Sequence, residues 1–162
     1  MIRNVKLADA RDIAEIYNYY IENTIITFEI ERIDAKEEEA RIRKIINSNY
    51  PYIVYEEKGK VIGYAYLSKW REREAYKNTL ETSIYLHKDY LHKGIGKKLY
   101  KELIESGKKL GIHALIGGLS VPNPESQKLH EYFGFEKVGI FKEVGYKFNQ
   151  YIDVEFWQLT YL

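Results

Sequence analysis

Residues 79 to 121 constrain this chain more than any other stretch. They read as the strand "TLETSIYL", the turn "HKDYLHKGIG", the helix "KKLYKELIESGKKL" and the apolar strand "HALIGGLSV". A helix of that length between two strands is a crossover connection. Such a connection makes its strands parallel neighbours and is right-handed. Gly111 closes the helix.

The flanking segments complete the order. "IRNVK" is a short opening strand. Asp9 is placed to cap an amphipathic helix carrying Ile13, Ile16, Tyr17, Tyr20 and Ile21 at helical spacing. "NTIITFEIE" is too β-branched to continue that helix and reads as a connection. Asp34 caps a second, charged helix, "AKEEEARIRKIIN". "PYIVYEE" and "KVIGYAYLSKW" pair as a hairpin across "KGK". "NPESQKLHEYF" is a helix stopped by Gly134, and two final strands follow with a long loop between them. The predicted order is β-α-α-β-β-β-α-β-α-β-β. It implies an α/β (α+β) fold with a mixed, mostly antiparallel sheet and helices on both faces. With no repeat or linker, residues 1–162 read as one domain.

Composition narrows the chemistry. The chain has no cysteine, which removes disulfides, thiolate metal sites and a cysteine nucleophile. His87, His92, His113 and His130 lack metal-ligand spacing, so no metal is expected. A net charge of +1 gives no basic field for nucleic acid. No apolar run approaches the roughly 20 residues of a membrane span. The N-terminus lacks a signal-peptide core, so a cytoplasmic protein is expected. Sixteen tyrosines predict an amphipathic core or pocket lining.

The turn at Gly94 and Gly96 raises the functional question. A glycine-rich entry to a helix offers unpaired N–H groups at the positive end of the helix dipole, where an oxyanion can come close. A tight strand-to-helix turn would explain the same glycines. A P-loop would need GxxxxGK[ST], and the spacing and hydroxyl are missing after Gly96. A dinucleotide fingerprint would need a third glycine where Leu99 stands.

The element order and the segment Leu91-His92-Lys93-Gly94-Ile95-Gly96 resemble the GNAT N-acetyltransferase superfamily. Its Q/R-x-x-G-x-G/A signature binds the pyrophosphate of acetyl-CoA. Leu91 departs from that signature and removes one side-chain contact. "YNYYIENTIITFEIE", "KWREREAYKNTLETSIYL", "NPESQKLHEYFGFEKVG" and "GYKFNQYIDVEFWQL" further resemble its phosphinothricin/methionine sulfone acetyltransferase group.

The resemblance implies acetyl-CoA as cosubstrate. Its phosphates would lie on His92, Lys93, Gly94, Ile95, Gly96 and Lys97. Its pantetheine arm would lie along Ile84, Tyr85 and Leu86 and reach Asn123 and Ser126. The Asn123 amide also suits a helix cap. Strand alternation puts Glu81 on the face of Ser83 and Tyr85, opposite Leu80, Ile84 and Leu86, which suits either solvent or a cleft. The resemblance makes Glu81 the general base, acting directly or through water, and gives His130 a role toward the leaving thiolate or in support of the base.

For the acceptor, Phe28 matches an aromatic that lines the acceptor pocket in that group, and Arg71, Arg73 and Tyr76 are candidates because they lie just before the strand of Glu81. Arginine forks suit a carboxylate or phosphinate, although Glu72 and Glu74 interleave with them. The implied acceptor is the α-amine of a small amino-acid-like molecule such as phosphinothricin, methionine sulfone or methionine sulfoximine. The implied assembly is a homodimer. Two alternatives stand beside this one. A protein or peptide N-terminal acetyltransferase would need an open groove, and a non-catalytic acyl-CoA-binding module would need neither Glu81 nor His130.

Overall fold

A computed structural model describes residues 1–161. The elements follow the predicted order: β1 (Ile2–Asn4), α1 (Ala10–Asn23), α2 (Ala35–Asn47), β2 (Tyr52–Glu57), β3 (Lys60–Lys69), β4 (Thr79–Leu86), α3 (Ile95–Lys109), β5 (Ala114–Val121), α4 (Pro124–Tyr132), β6 (Glu136–Lys147) and β7 (Gln150–Thr160). Short 3₁₀ turns interrupt the connections. The seven strands form one sheet in the order β1-β2-β3-β4-β5-β7-β6. Among the described residues only β4 and β5 run parallel, joined through α3 as the crossover pattern requires.

Each face of the sheet carries its own core. On one face, Leu99, Tyr100 and Leu103 of α3 pack with Leu67, Leu80, Leu115 and Trp157. On the other, Ile13, Ile16 and Tyr20 of α1 and Ile42 of α2 pack against Tyr52, Val54 and Tyr64. Strand alternation divides β4 between them: Ile84 and Leu86 join the first core, and Tyr85 joins the second.

Two tight turns use left-handed backbone. Lys58 (φ 51°) and Gly59 (φ 76°) close the β2–β3 hairpin. Phe148 (φ 51°) and Asn149 (φ 58°) close β6–β7. The second turn corrects the expectation of a long loop between the last strands. The irregularity lies inside β6, where the pairing jumps from Phe141–Val154 to Gly145–Ile152. Glu143 takes φ 54° in that bulge, and its N–H donates to Asp153 Oδ1 at 2.7 Å.

The helix entries also differ in detail from the sequence reading. Asp34 caps α2 by accepting from the Glu37 amide at 2.8 Å. Asp9 stands at the start of α1, but its carboxylate is spent on Arg3 and on the Lys6 amide.

Under α2 lies a buried carboxyl. Glu38 accepts from the Tyr52 hydroxyl at 2.9 Å. Burial pushes its pKa from 4.5 up to about 7, against the Tyr52 hydrogen bond and the Arg41 charge. The folded protein therefore holds this proton more tightly than the unfolded chain does, and stability falls as pH rises from about 4.5 to about 7. Glu38→Gln keeps an acceptor for Tyr52 and removes the titration. Thermal unfolding followed from pH 4.5 to pH 8 should show a shallower decline for the variant and a higher Tm than the parent at pH 8.

Candidate active site

The parallel pairing of β4 with β5 is short. Thr79 faces Ala114, Leu80 faces Leu115 and Glu81 faces Ile116, and the register ends there. Past that point β4 stays paired with β3, and β5 stays paired with β7. The two strands part, and a cavity of about 270 Å³ opens at the split. Glu81, His130, Asn123, Ser126, Ile84, Tyr85 and Phe28 all line it.

Glu81 is the last paired residue of β4 on this edge. Burial raises its pKa above the ordinary 4.5, and the nearby Arg71 charge opposes the rise. Such a carboxylate is a stronger base than a solvated one.

His130 enters from α4 and is 3% exposed. Its Nδ1 lies 2.7 Å from the Ser126 carbonyl, which can only accept, so Nδ1 carries the proton. Nε2 of the neutral ring then accepts from the Tyr100 hydroxyl at 2.8 Å. Tyr100 lies 2.9 Å from the Thr82 hydroxyl, so a continuous chain of polar groups runs from α4 through α3 to β4. Burial lowers the His130 pKa, against the Ser126 hydrogen bond, and keeps the ring neutral at pH 7. The ring comes close to the sheet because residue 117 is glycine: a Cβ there would overlap Nε2.

Asn123 caps α4, its Oδ1 accepting from the Ser126 amide at 3.2 Å. The glycine turn lies beyond the open end of β4. Gly94 holds φ 78° at the N-cap of α3, with no side chain capping the helix and no acidic residue in its first turn. The first amides of α3 are thus left for an anion. Ile95 is buried and anchors the turn, and a Cβ on Gly96 would sit 3.4 Å from Leu86. Lys93 lies over the Tyr90 ring at 4.7 Å and Lys97 over Tyr132 at 4.1 Å. His92 takes φ 61° and faces Glu125 at 3.6 Å.

The proposed acceptor residues divide. Phe28 is on the cavity wall. Arg71 stacks on Trp70 at 4.6 Å, and Trp70 meets the wall residue Phe156 edge-on. Arg73 and Tyr76 lie in the exposed connection before β4, off the cavity wall. Sequence reasoning did not single out Thr82, Tyr100, Gly117 or Lys147. Tyr100 and Thr82 look like ordinary core positions, and only the fold reveals that their hydroxyls meet.

Residues 2–156 match the acetyltransferase (GNAT) domain family. This chain belongs to that family. It is 35% identical over 158 residues to the L-amino acid N-acyltransferase MnaT of Escherichia coli K12, covering 98% of this chain and 92% of that protein. It is 34% identical to the L-methionine sulfoximine/L-methionine sulfone acetyltransferase of Salmonella typhimurium LT2, over 98% of this chain and 92% of that protein. Among solved structures, a phosphinothricin acetyltransferase from Sinorhizobium meliloti in complex with acetyl-CoA superposes with a TM-score of 0.96. It shares 38% identity and covers 99% of this chain and 87% of that one. The GNAT fold therefore carries the split strands, the glycine turn and the cavity between them.

The contact between Gly117 and His130 gives a direct test of this geometry. Gly117→Ala places a methyl group where Nε2 lies, so the imidazole must move and the Tyr100 hydroxyl loses its acceptor. The expected cost is about 1–3 kcal/mol. Chemical denaturation measures it, and an unchanged stability would show that the ring has room to shift.

Proposed function

We propose that this GNAT enzyme transfers the acetyl group of acetyl-CoA to the α-amine of a small amino-acid-like acceptor. Phosphinothricin, methionine sulfone and methionine sulfoximine are the acceptor class. The observation that carries the reading is the meeting of a half-buried carboxylate, Glu81, and a neutral imidazole, His130, in one small cavity that opens beside the uncapped start of α3.

The residues fit acetyl-CoA on their own geometry. The bare first turn of α3, flanked by Lys93 and Lys97, suits the pyrophosphate. Beyond Glu81 the edge of β4 is without a strand partner on the β5 side, so the backbone at Ile84, Tyr85 and Leu86 can pair with the pantetheine arm. Asn123 and Ser126 stand across the split. His92, Ile95 and Gly96 complete the turn. When bound, the cosubstrate supplies an acetyl thioester.

An incoming α-ammonium must lose two protons to become an amide. Glu81 takes the first, directly or through water, and makes the nitrogen nucleophilic. The His130 Nδ1 proton is committed to Ser126, so His130 works at Nε2. Nε2 is bonded to the Tyr100 hydroxyl, so the neutral imidazole takes the second proton through the Tyr100–Thr82 hydroxyl chain and returns it by the same chain to the leaving thiolate. Phe28 forms an apolar wall for the acceptor side chain. Arg71 binds the acidic head, with Arg73 and Tyr76 on the exposed connection before β4 as outer contacts.

The same reading takes residues 1–162 as one domain of a cytoplasmic homodimer. The support is the exposed apolar row on β6 and β7, including Phe141, Val144, Tyr146 and Tyr151, and a cysteine-free chain that suits a reducing compartment. No helix among the described residues is long and apolar enough to cross a membrane.

The experiment is an acetyl-transfer assay with thiol detection on a panel of amino-acid analogues and N-terminal peptides. Turnover of peptides in preference to free amino acids would favour the N-terminal acetyltransferase reading. Glu81→Gln should lower kcat about 10²–10⁴-fold while acetyl-CoA binding persists, and the loss should shrink at high pH, where more amine is already neutral. Near-parental turnover at neutral pH would end the general-base assignment. Gly96→Val should abolish the thermal shift given by CoA, about 2.7 kcal/mol at a hundredfold excess over Kd, without unfolding the protein. A full shift in the variant would move the pyrophosphate elsewhere.

A further inference from the structure

Lys147 is a buried lysine with no assigned task. It sits near the end of β6 and is 2% exposed. Burial alone lowers its pKa, with no neighbouring charge contributing. Lysine is rarely buried without a carboxylate, so its contacts require a reason. Nζ donates to the Thr27 carbonyl at 2.8 Å and lies 3.5 Å from the Tyr20 carbonyl. Tyr20 is in the last turn of α1, where a cation meets the negative end of the helix dipole. Thr27 belongs to the connection after α1, and Ile26, Thr27 and Phe28 are cavity wall.

The neighbouring position on the same face of β6 acts on the same wall. Tyr146 points to solvent, so Gly145 and Lys147 both point inward. A Cβ on Gly145 would overlap the Phe28 ring. Glycine at 145 thus seats Phe28, and lysine at 147 holds the carbonyl of the residue before it. The bulge between Phe141 and Gly145 sets this alignment.

Other ties hold the connection at different points. Ser120 donates to the Ile25 carbonyl at 2.6 Å, Tyr17 pairs with the Thr27 hydroxyl at 2.6 Å, and Arg41 grips Glu29. Lys147 is the one among these that fixes the peptide joining Thr27 to Phe28.

We propose that Lys147 is a positioning residue for the acceptor amine: its ammonium group fixes the Thr27 carbonyl, and so the Phe28 wall, from the far strand of the sheet. The role rests on the reading of Phe28 as an acceptor wall. It predicts that Lys147 governs acceptor affinity and leaves acetyl-CoA affinity alone. The acetyl-CoA surface is built on β4, α3 and α4, whereas the Lys147 hydrogen bonds go to α1 and to the connection after it.

The test compares the parent enzyme with Lys147→Met, which keeps the apolar stem and removes the donor. KM for the amine should rise about tenfold or more, with KM for acetyl-CoA within about twofold. Hydrogen exchange should quicken at the amides of residues 25–29 and stay unchanged in α3. Equal rises in both KM values, or an unchanged amine KM, would overturn the proposal. If Lys147→Met does not fold, Gly145→Ala displaces the same wall from the adjacent position and must give the same split between the two KM values. If the parent acetylates none of the amino-acid panel, the substrate reading fails on its own. Hydrogen exchange then decides the fastening: unchanged exchange at residues 25–29 in the variant overturns it.

Discussion

The divergence of β4 from β5 is the constraint on which the rest depends. Each strand has a full-length partner on its other side: β3 runs along β4 from Lys69 to Gly63, and β7 runs along β5 over its whole length. Neither strand needs the other beyond Glu81 and Ile116. Parting costs some ladder hydrogen bonds, and it leaves polar backbone edges at a depth where a ligand can satisfy them. Small residues keep the split from being filled by the protein itself. Gly117 lets the His130 ring come close to the sheet, and Gly118 takes the Phe156 ring beneath it. Larger side chains at these two positions would displace the His130 and Phe156 rings that line the cavity.

Around that opening the interior is unusually rich in hydroxyls, and this is a solution with requirements. Tyr17, Tyr20, Tyr52, Tyr64, Tyr66 and Tyr85 form connected aromatic contacts between α1 and the sheet. A buried phenol needs a partner. Tyr52 finds Glu38, Tyr20 finds the Leu86 carbonyl, Tyr17 finds Thr27 and Tyr100 finds His130. Among the described residues, no buried side-chain polar atom lacks one. The partners specify more than packing: the Tyr20 bond ties α1 to the last residue of β4, and the Tyr17 bond ties the same helix to the connection carrying Phe28. A leucine at either place would fill volume but leave those segments free to shift.

Most of the fold was legible because its signals are local. Period-2 alternation gave the strands. Asp34, Gly111 and Gly134 marked helix ends, and the helix between two apolar strands dictated the parallel pair. Glu81 was legible as a carboxylate out of place in a strand. What escaped was set by distant segments. The β6 bulge and the Phe148–Asn149 turn contain no glycine at their left-handed positions, so the stretch read as a loop. Lys147 falls on the inward parity beside the exposed Tyr146, a signal present in "GYK", but parity is lost across an unrecognised bulge. Arg73 was chosen for its chemistry alone, and only the tertiary structure separates it from Arg71, whose charge reaches Glu81.

The two halves of the cavity are consequently built on different principles. The β4–α3–α4 side presents backbone: an open strand edge, bare helix amides and a capped helix start. Backbone groups of this kind tolerate side-chain change, and the first amides of α3 stay bare with Leu91 ahead of the turn. The other side is made of side chains on a connection without regular structure, the material most able to vary. A connection of that kind cannot define a pocket unless something holds it, and here each tie reaches it from a different element: Ser120 from β5, Tyr17 from α1, Arg41 from α2 and Lys147 from β6. The Phe28 wall is therefore as fixed as the elements that hold it, while its own residues remain free of the sheet's pairing rules. That separation leaves the β4–α3–α4 side of the cavity unchanged when Phe28 and its neighbours are substituted.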